Sequence, residues 1–136
     1  MKYFLLLLFT AVGFGACVQD DELPPVTQPA TVNDFLMHTD GLTISLFIEE
    51  GVDETASFNP FVFSFYPDGT VTATEEVSSI AGNYLVFEDD NVTELRMTFP
   101  ENTPLFELAD DWYFVSMDAS QIRFEDNGDT IEFQRQ

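Results

Sequence analysis

The sequence predicts an all-β fold, an antiparallel up-and-down meander of about eight strands that closes as a barrel. The first observation is a hairpin over residues 61–74, in which apolar and polar residues alternate on both sides of Pro67-Asp68-Gly69. The second is a series of short alternating segments separated by polar turns, with no long helical pattern. The third is their number, because about eight strands suffice to close a barrel around its own side chains or one small ligand.

The hairpin specifies its own register. Pro67 presets φ for the second position of a type I turn, and Gly69 can take the left-handed conformation that closes a three-residue loop. Such a loop places Phe65 opposite Val71, and every second residue then shares one face. Residues 70–74 contribute a row of threonines to the opposite face. The predicted apolar face consists of Phe61, Phe63, Phe65, Val71 and Ala73.

The same alternation assigns the other strands. The predicted strands lie within residues 42–48, 61–66, 70–74, 82–87, 94–99, 112–117, 122–124 and 131–133. A helical turn is predicted over residues 32–37, and a short helix or loop over residues 105–109, before the sixth strand. In the first strand, Leu42, Ile44, Leu46 and Ile48 alternate with Thr43, Ser45 and Phe47.

Two predicted strands do not reveal which side faces the core. The fourth strand, over residues 82–87, is apolar on both faces for part of its length. In the sixth strand, Trp112 and Phe114 form one apolar face, and the other consists of Tyr113, Val115 and Met117. Both orientations of this strand remain open.

The charge is strongly unbalanced. The 136 residues include 25 acidic and 4 basic side chains, a formal net charge of −21 at pH 7. Such a surface repels phosphate backbones and anionic membrane surfaces, which excludes a nucleic-acid partner. The length suggests one domain. Cys17 is the only cysteine, so the chain forms no intramolecular disulfide.

Residues 1–16 are predicted to be a lipoprotein signal peptide. Lys2 precedes an apolar run over residues 3–12, which is short for a membrane span. The residues Phe14-Gly15-Ala16-Cys17 resemble a bacterial lipobox, which implies cleavage before Cys17 and its acylation, as with palmitate. Several acyl chains provide a stable anchor, here to the outer membrane. The alternative is a plain signal peptide with an incidental cysteine.

The segment after Cys17 is acidic and rich in proline. Asp20, Asp21 and Glu22 resemble the surface-export signal of Bacteroidota lipoproteins, and a solvated linker is the alternative. Residues 17–31 are predicted to be a lipidated tether, and residues 32–136 the barrel domain. The export signal implies exposure at the cell surface, with a periplasm-facing protein as second choice.

The barrel region resembles a known family. Several motifs in order resemble the lipocalin-like domain of small Bacteroidota envelope lipoproteins over roughly residues 41–135. They are Phe61-Val62-Phe63-Ser64-Phe65, Asp68-Gly69-Thr70-Val71-Thr72-Ala73-Thr74, Gly82-Asn83-Tyr84, Leu95-Arg96-Met97, Leu108-Ala109-Asp110-Asp111-Trp112 and Ile122-Arg123-Phe124. The resemblance implies a calycin-type barrel on an envelope lipoprotein and implies no activity. Tyr84 stands where the family often has tryptophan.

No catalytic or cofactor-binding constellation is present. The sequence lacks a glycine-rich phosphate loop, an HExxH pair and a cysteine–histidine cluster. His38, the only histidine, is predicted to be a surface residue near a turn. The acidic residues cluster in turns, which rarely provide the apolar setting that a catalytic acid needs. The protein is therefore predicted not to be an enzyme.

Two surface sites are predicted from short motifs. Glu88, Asp89 and Asp90 form a weak calcium candidate, because calcium prefers several carboxylate oxygens, and a solvated turn is the alternative. Asp129-Thr130-Ile131 resembles the O-glycosylation acceptor of Bacteroidota, which makes Thr130 a candidate. An ordinary hairpin residue is the alternative there.

The interior leaves two functions open. In one, the barrel of a non-enzymatic, lipid-anchored surface protein binds a small hydrophobic ligand in an apolar pocket. In the other, the same side chains fill a solid core, and the barrel is a structural, protein-binding or glycan-binding module of the envelope. The side chains in question are Phe61, Phe63, Phe65, Tyr84, Leu95, Met97 and Phe99.

Overall fold

The computed structural model describes residues 28–136, so the predicted signal peptide, lipidation site and export signal lie outside the described residues. The helices are α1 (Pro29–Leu36) and two 3₁₀ helices (Thr55–Phe58 and Pro104–Leu108). The strands are β1 (Leu42–Glu49), β2 (Val52–Asp53), β3 (Val62–Phe65), β4 (Thr70–Glu75), β5 (Ser78–Asp89), β6 (Val92–Thr98), β7 (Asp111–Met117), β8 (Gln121–Asp126) and β9 (Asp129–Arg135). No helix in this range is long and apolar enough to cross a membrane.

The strands form one closed antiparallel barrel. The sheet order is β2-β1-β3-β4-β5-β6-β7-β8-β9, and β9 pairs again with β1. Eight strands make up the barrel wall, and β2 adds two residues at the end of β1. The contact of β1 with β3 is narrow, a single pair of Leu42 with Phe63. The predicted up-and-down barrel of about eight strands, with a short helix before the sixth barrel strand, is confirmed.

The predicted register of the hairpin is confirmed. Phe65 lies opposite Val71, as the three-residue loop requires. The Tyr66 amide donates to the Thr70 carbonyl at 2.9 Å, and Gly69 has φ of +87°. Phe61, Phe63 and Phe65 are buried together with their partners across the hairpin. Local turn chemistry therefore determined the pairing of β3 with β4.

The barrel interior is an aromatic core. The Phe65 ring lies 4.9 Å from Tyr84 and 5.7 Å from Phe133, both edge to face. Phe63 contacts the other side of Phe133 at 5.6 Å. These rings come from β3, β5 and β9, so they bridge the interior. Each buried ring contributes roughly 1.5–3 kcal/mol by leaving water, and edge-to-face geometry adds to this.

A β-bulge at Ser45 interrupts the alternation along β1. Ile44 pairs with Phe133 and Leu46 with Glu132, so Ser45 is the extra residue. The alternation is therefore reset, and Phe47 turns inward, fully buried, while Leu46 remains only partly buried. Because of the bulge, Leu42, Ile44, Leu46 and Ile48, which alternate in the sequence, do not all lie on one face.

A second bulge decides the orientation of β7. Phe114 pairs with Phe124 and Ser116 with Arg123, which leaves Val115 as the extra residue. Trp112 and Phe114 consequently face the core, and Met117 packs against it after the bulge. Tyr113 and Val115 project outward. The structure thus combines parts of both orientations that the sequence left open.

Short helices cover both ends of the barrel. At one end, here called the helix end, α1 buries Val32, Phe35 and Leu36. The Arg135 guanidinium lies 4.2 Å over the Phe35 ring and donates to the Ala119 carbonyl at 2.9 Å, which connects the helix to β9. The helix begins at Pro29, so it includes the last residues of the predicted tether.

At the opposite end, here called the 3₁₀ end, the two 3₁₀ helices supply the cover. Phe58 of the first lies 4.8 Å from Phe47, and Leu105 and Leu108 of the second are fully buried. The Trp112 indole donates to the Leu108 carbonyl at 3.0 Å, which holds the second helix against the core. Aromatic residues of β1 and β7 therefore position the cover.

Gly82 is required where β5 bends toward β6. A Cβ at this position would contact the Thr98 carbonyl and lie 2.6 Å from the Phe99 ring. Phe99 is itself buried and occupies the space that a side chain at position 82 would need. The absence of a side chain thus allows Phe99 to pack onto the strand.

Candidate functional site

The seven side chains predicted to line a ligand pocket all lie in the buried core. Phe61, Phe63, Phe65, Tyr84, Leu95, Met97 and Phe99 belong to one continuous hydrophobic cluster. The Tyr84 hydroxyl donates to the Tyr66 carbonyl at 2.7 Å, so the polar group of this core residue is satisfied. Several of these rings contact one another, as Phe61 does with Phe63 and Phe65 with Tyr84.

Two hollows at the helix end lie on either side of the β3–β4 turn. The larger one, about 310 Å³, is open to solvent and lined by Met37, His38, Thr39, Ser64, Phe65, Tyr66 and Pro67. The smaller one, about 130 Å³, is lined by Asn33, Pro67, Gly69, Tyr84, Leu85 and Val86. Phe65 and Tyr84 border the hollows but remain largely covered. A ligand that entered the core from this end would have to displace α1.

Other predicted sites are outside the described residues or remain on the surface. Cys17, Asp20, Asp21 and Glu22 belong to the part of the chain that is not described, and their predicted roles stay predictions. Thr130 lies on β9, opposite Glu125 and Ile48, and is partly exposed. Its glycosylation also remains a prediction.

The predicted calcium ligands are exposed and dispersed. Glu88 and Asp89 end β5, and Asp90 has φ of +48° in the turn that follows. Within residues 28–136, the group of three acidic residues whose carboxylate oxygens lie within 4.8 Å of one another is instead Glu49, Glu54 and Glu107. His38 is not among them, and its ring lies 3.9 Å from the Asp40 carboxylate.

The three glutamates meet at the 3₁₀ end from three separate segments. Glu49 ends β1, Glu54 precedes the first 3₁₀ helix, and Glu107 lies in the second. Burial raises the pKa of Glu49, and repulsion from Glu107 and Glu54 raises it further. Burial and Glu54 likewise raise the pKa of Glu107. Glu107 is far in sequence from Glu49 and Glu54, so no spacing motif could have revealed this cluster.

The outer wall carries an apolar surface, here called the β5–β7 face. Leu85, Tyr113 and Val115 point outward and are 52%, 43% and 45% exposed. The apolar members of the β5–β7 face are Leu85, Phe87, Val92, Tyr113 and Val115. They lie on adjacent strands, because Phe87 and Tyr113 are both register partners of Glu94 on β6.

Arg96 and Asp111 form an ion pair within the β5–β7 face. The Arg96 guanidinium donates from Nε to Asp111 Oδ1 at 2.6 Å and from Nη2 to Oδ2 at 2.9 Å. It also lies 4.9 Å over the Phe87 ring. Hydrogen bonding from Arg96 lowers the pKa of Asp111. Arg96 therefore contacts Asp111 and Phe87 at the same time.

Glu94 is a covered carboxylate in the middle of the β5–β7 face. It points outward from β6, because Leu95 faces the core, yet only 5% of it is exposed. It accepts no side-chain hydrogen bond from any residue in the range 28–136, although its oxygens retain contact with solvent. Burial raises the pKa of Glu94, and repulsion from Asp89 and Asp111 adds to this. Glu94 in turn raises the pKa of Tyr113.

The β5–β7 face was not identified from the sequence, although two predicted strands with apolar residues on both faces pointed to it. The fourth predicted strand is apolar on both faces, and the structure turns Leu85 and Phe87 outward. The sixth predicted strand has two competing apolar faces, and the bulge turns Tyr113 and Val115 outward. A strand with apolar residues on both sides thus indicates a wall whose inner side packs in the core and whose outer side is an exposed apolar surface.

The comparisons add no relative to these observations. No family model, curated protein or solved structure matches the chain.

Proposed function

We propose that the chain is a non-enzymatic, lipid-anchored outer-membrane protein, displayed at the cell surface, whose solid barrel binds a protein partner through the β5–β7 face. The observation that carries the proposal is the contrast between a filled interior and an exposed apolar wall. The candidate pocket residues belong to one buried cluster, whereas Leu85, Tyr113 and Val115 are about half exposed on the outer wall. We therefore assign the binding function to the outer surface of the barrel.

The covered ends support a solid barrel over a ligand carrier. A carrier needs an entrance, and α1 buries three apolar side chains at the helix end. At the 3₁₀ end, Leu105 and Leu108 are fully buried beneath Trp112 and its neighbours. Loading a ligand would expose these side chains and separate packed rings, each step with an unfavourable free energy.

The composition of the outer wall supports a binding surface. Contiguous exposed apolar side chains on a soluble surface are typical of contact sites. The aromatic ring of Tyr113 and its aliphatic neighbours are the side chains that protein interfaces favour, and acidic residues around them resemble a polar rim. The net charge of −21 keeps such a surface from associating with copies of itself.

The lipid anchor is supported by the residues that precede α1. The lipobox resemblance at Cys17 and the acidic cluster at residues 20–22 support a surface lipoprotein, and the closed barrel is consistent with the resemblance to the lipocalin-like family of Bacteroidota. Residues 18–28, if extended at roughly 3 Å each, would span about 30 Å. The β5–β7 face lies on the wall of the barrel and not at an end, so a tether at α1 would leave it accessible.

Photo-crosslinking on intact host cells tests the interaction face. A photoreactive phenylalanine analogue replaces Val115 in one variant and Thr74 in the control. Thr74 also points outward and is exposed, but it belongs to β4. We expect a discrete crosslinked protein from position 115 and none from position 74. Equal crosslinking from both positions, or none from position 115, would contradict the proposed function.

The anchor is tested separately by Cys17→Ala. The substitution removes the only thiol available for acylation, so we expect the protein to move from the membrane fraction to the soluble fraction. Retention in the membrane fraction would refute lipidation at this residue. Replacing Asp20, Asp21 and Glu22 with alanine should leave the protein in the membrane and protect it from protease added to intact cells; unchanged digestion would remove the export signal.

A further inference from the structure

We infer that the β5–β7 face receives an arginine or lysine side chain of a protein partner, which inserts between Phe87 and Tyr113 onto the carboxylate of Glu94. This inference rests on the proposed function and names the chemistry of its partner, a basic surface segment. It is independent of the anchor, since it concerns only residues of β5, β6 and β7.

Glu94 gives the first reason, because its side chain is covered but lacks a hydrogen-bond donor. Nearly all of this side chain is covered, yet no described residue donates a side-chain hydrogen bond to it. Covering most of a carboxylate is unfavourable, because the carboxylate loses part of its hydration and gains no hydrogen-bond donor in exchange. Phe87 and Tyr113, its register partners on β5 and β7, lie on either side of it. A cationic group from a partner would supply both the charge and the donors.

The second reason is that each arginine of the described chain already interacts with another residue of the chain. Arg96, the nearest, donates two hydrogen bonds to Asp111. Arg123 pairs with Glu132 at 3.0 Å, and Arg135 stacks on Phe35 at the helix end. Residues 28–136 contain no lysine. Arg96 also attracts Glu94 electrostatically but donates its hydrogen bonds to Asp111, so a cation that donates directly to Glu94 would have to come from another molecule.

The third argument is the geometry of the two rings. Phe87 and Tyr113 lie on the strands either side of Glu94, so a group that reaches the carboxylate passes between aromatic side chains. The Phe87 ring already holds one guanidinium, that of Arg96, which shows that its environment suits a cation. Leu85 and Val115 are exposed nearby and would contact the aliphatic stem of a bound arginine or lysine.

The fourth argument is the surrounding charge. Asp89 and Asp111 both act on Glu94, and Glu125 is the register partner of Tyr113 on β8. This cluster of carboxylates around an apolar centre attracts a basic segment and repels an acidic one. A neutral glycan would use the exposed ring but would leave Glu94 uncompensated. The arrangement therefore favours a cationic protein segment over a glycan.

A titration followed by nuclear magnetic resonance tests the inference. The ¹⁵N-labelled full chain, in detergent micelles, is titrated with a short arginine-containing peptide and with the same peptide carrying citrulline, which has the same shape but no charge. We expect the arginine peptide to shift the amide signals of Phe87, Glu94 and Tyr113. The citrulline peptide should bind about tenfold more weakly.

Two matched variants separate the site from the overall charge. Glu94→Gln and Glu101→Gln each remove one negative charge, but Glu101 is exposed in the loop after β6. Glu94→Gln should weaken arginine-peptide binding about tenfold, whereas Glu101→Gln should change it less than twofold. The amide spectra of both variants report directly whether each remains folded.

Several outcomes would overturn the inference. Equal weakening by both variants would show that only net charge attracts the peptide. Shifts produced by a neutral oligosaccharide but not by the arginine peptide would identify a glycan surface, and no binding of the peptide would exclude the cationic partner. If crosslinking from position 115 persists at full yield in the Glu94→Gln chain, the interaction face stands and the cationic contact is wrong. If no crosslink forms at all, the proposed function itself is wrong.

Discussion

Two outer faces of the same barrel differ in a way that folding does not explain. On β3 and β4 the outward residues are Val62, Ser64, Thr70, Thr72 and Thr74, all small and, apart from Val62, polar. On the β5–β7 face they include Leu85, Phe87, Tyr113 and Val115. Both walls present large apolar side chains to the same core. The inward residues of both walls build the core, whereas only the β5–β7 face also carries large apolar residues on its outer side.

The difference between the two walls indicates which outward residues are not needed for folding. The threonines suit a strand that faces water, because β-branched polar residues favour extended backbone and stay hydrated. Leu85 and Val115 gain less from that position than core residues do, since about half of each residue remains exposed to solvent. Local departures from the pattern that folding favours are expected at functional sites. The β5–β7 face is such a departure.

The largest expected effect is common to both walls. Phe63→Ala on β3 and Trp112→Ala on β7 each remove a fully packed side chain from the shared core. Each should lower the free energy of unfolding by about 3–5 kcal/mol. Urea denaturation followed by circular dichroism measures this. A loss below about 1 kcal/mol for either variant would show that the interior of that wall is not packed as described.

Glu94→Gln should have a smaller effect of opposite sign. The folded state raises the pKa of Glu94, so its charged form is disfavoured on folding at neutral pH. The amide removes that penalty and should stabilise the protein by about 1 kcal/mol at pH 7. The gain should vanish below pH 4.5, the ordinary value for glutamate, because the carboxyl is then protonated in both states. Glu125→Gln serves as the exposed control.

Destabilisation by Glu94→Gln at neutral pH would indicate that the carboxylate has a stabilising partner within the chain. An equal gain from Glu125→Gln would attribute the effect to net charge alone. Either result would remove the distinction between Glu94 and the other outward acids.

The pH dependence of stability should follow two groups of carboxyls. Burial raises the pKa of Glu49, Glu94 and Glu107, so the folded state binds more protons and stability increases as pH falls from neutral toward 4.5. Hydrogen bonds lower the pKa of other carboxyls, whose contribution is lost as pH falls below 3.8. These are Asp53, Asp68, Asp111 and Asp118.

Melting temperature should therefore be greatest near about pH 4 and fall on both sides. General repulsion among the acidic residues, which weakens as they are protonated, acts in the same direction above that pH. Differential scanning calorimetry from pH 3 to pH 8 measures the profile. A melting temperature that increases steadily toward neutral pH would contradict the assignment of the raised carboxyls.

The smallest effect on stability is expected on the outer faces themselves. Val115→Thr and Thr74→Val interchange the two types of surface and should each change the free energy of unfolding by less than about 0.5 kcal/mol. Val115→Thr should nevertheless weaken association with the crosslinked partner, measured by pull-down of that partner. A stability loss above about 1 kcal/mol for Val115→Thr would mean that the apolar wall serves folding.

The sequence predicted those features that depend on local chemistry. The Pro67-Asp68-Gly69 turn determines the register of β3 and β4, because loop length and left-handed glycine leave one pairing. The alternation of apolar residues predicted the number of barrel strands. The bulges at Ser45 and Val115 were not predictable, since each depends on the pairing with a neighbouring strand.

The candidate sites illustrate the same limit. Strands with apolar residues on both faces signalled an unusual wall, but only the fold shows that Tyr113 and Val115 point outward. Glu94 looks in the sequence like any outward acid of an alternating strand. Its cover comes from β5 and β7, whose registers bring Phe87 and Tyr113 beside it. Long-range pairing, which sequence patterns do not encode directly, creates the site.

Native mass spectrometry of protein purified from its host tests the central claim most directly. A solid barrel that acts through its outer wall should retain no small molecule, so the mass should equal that of the processed chain with its acyl groups. A retained hydrophobic molecule that leaves only on collisional activation would contradict a filled interior. It would instead show that α1 or the 3₁₀ helices open to admit a ligand.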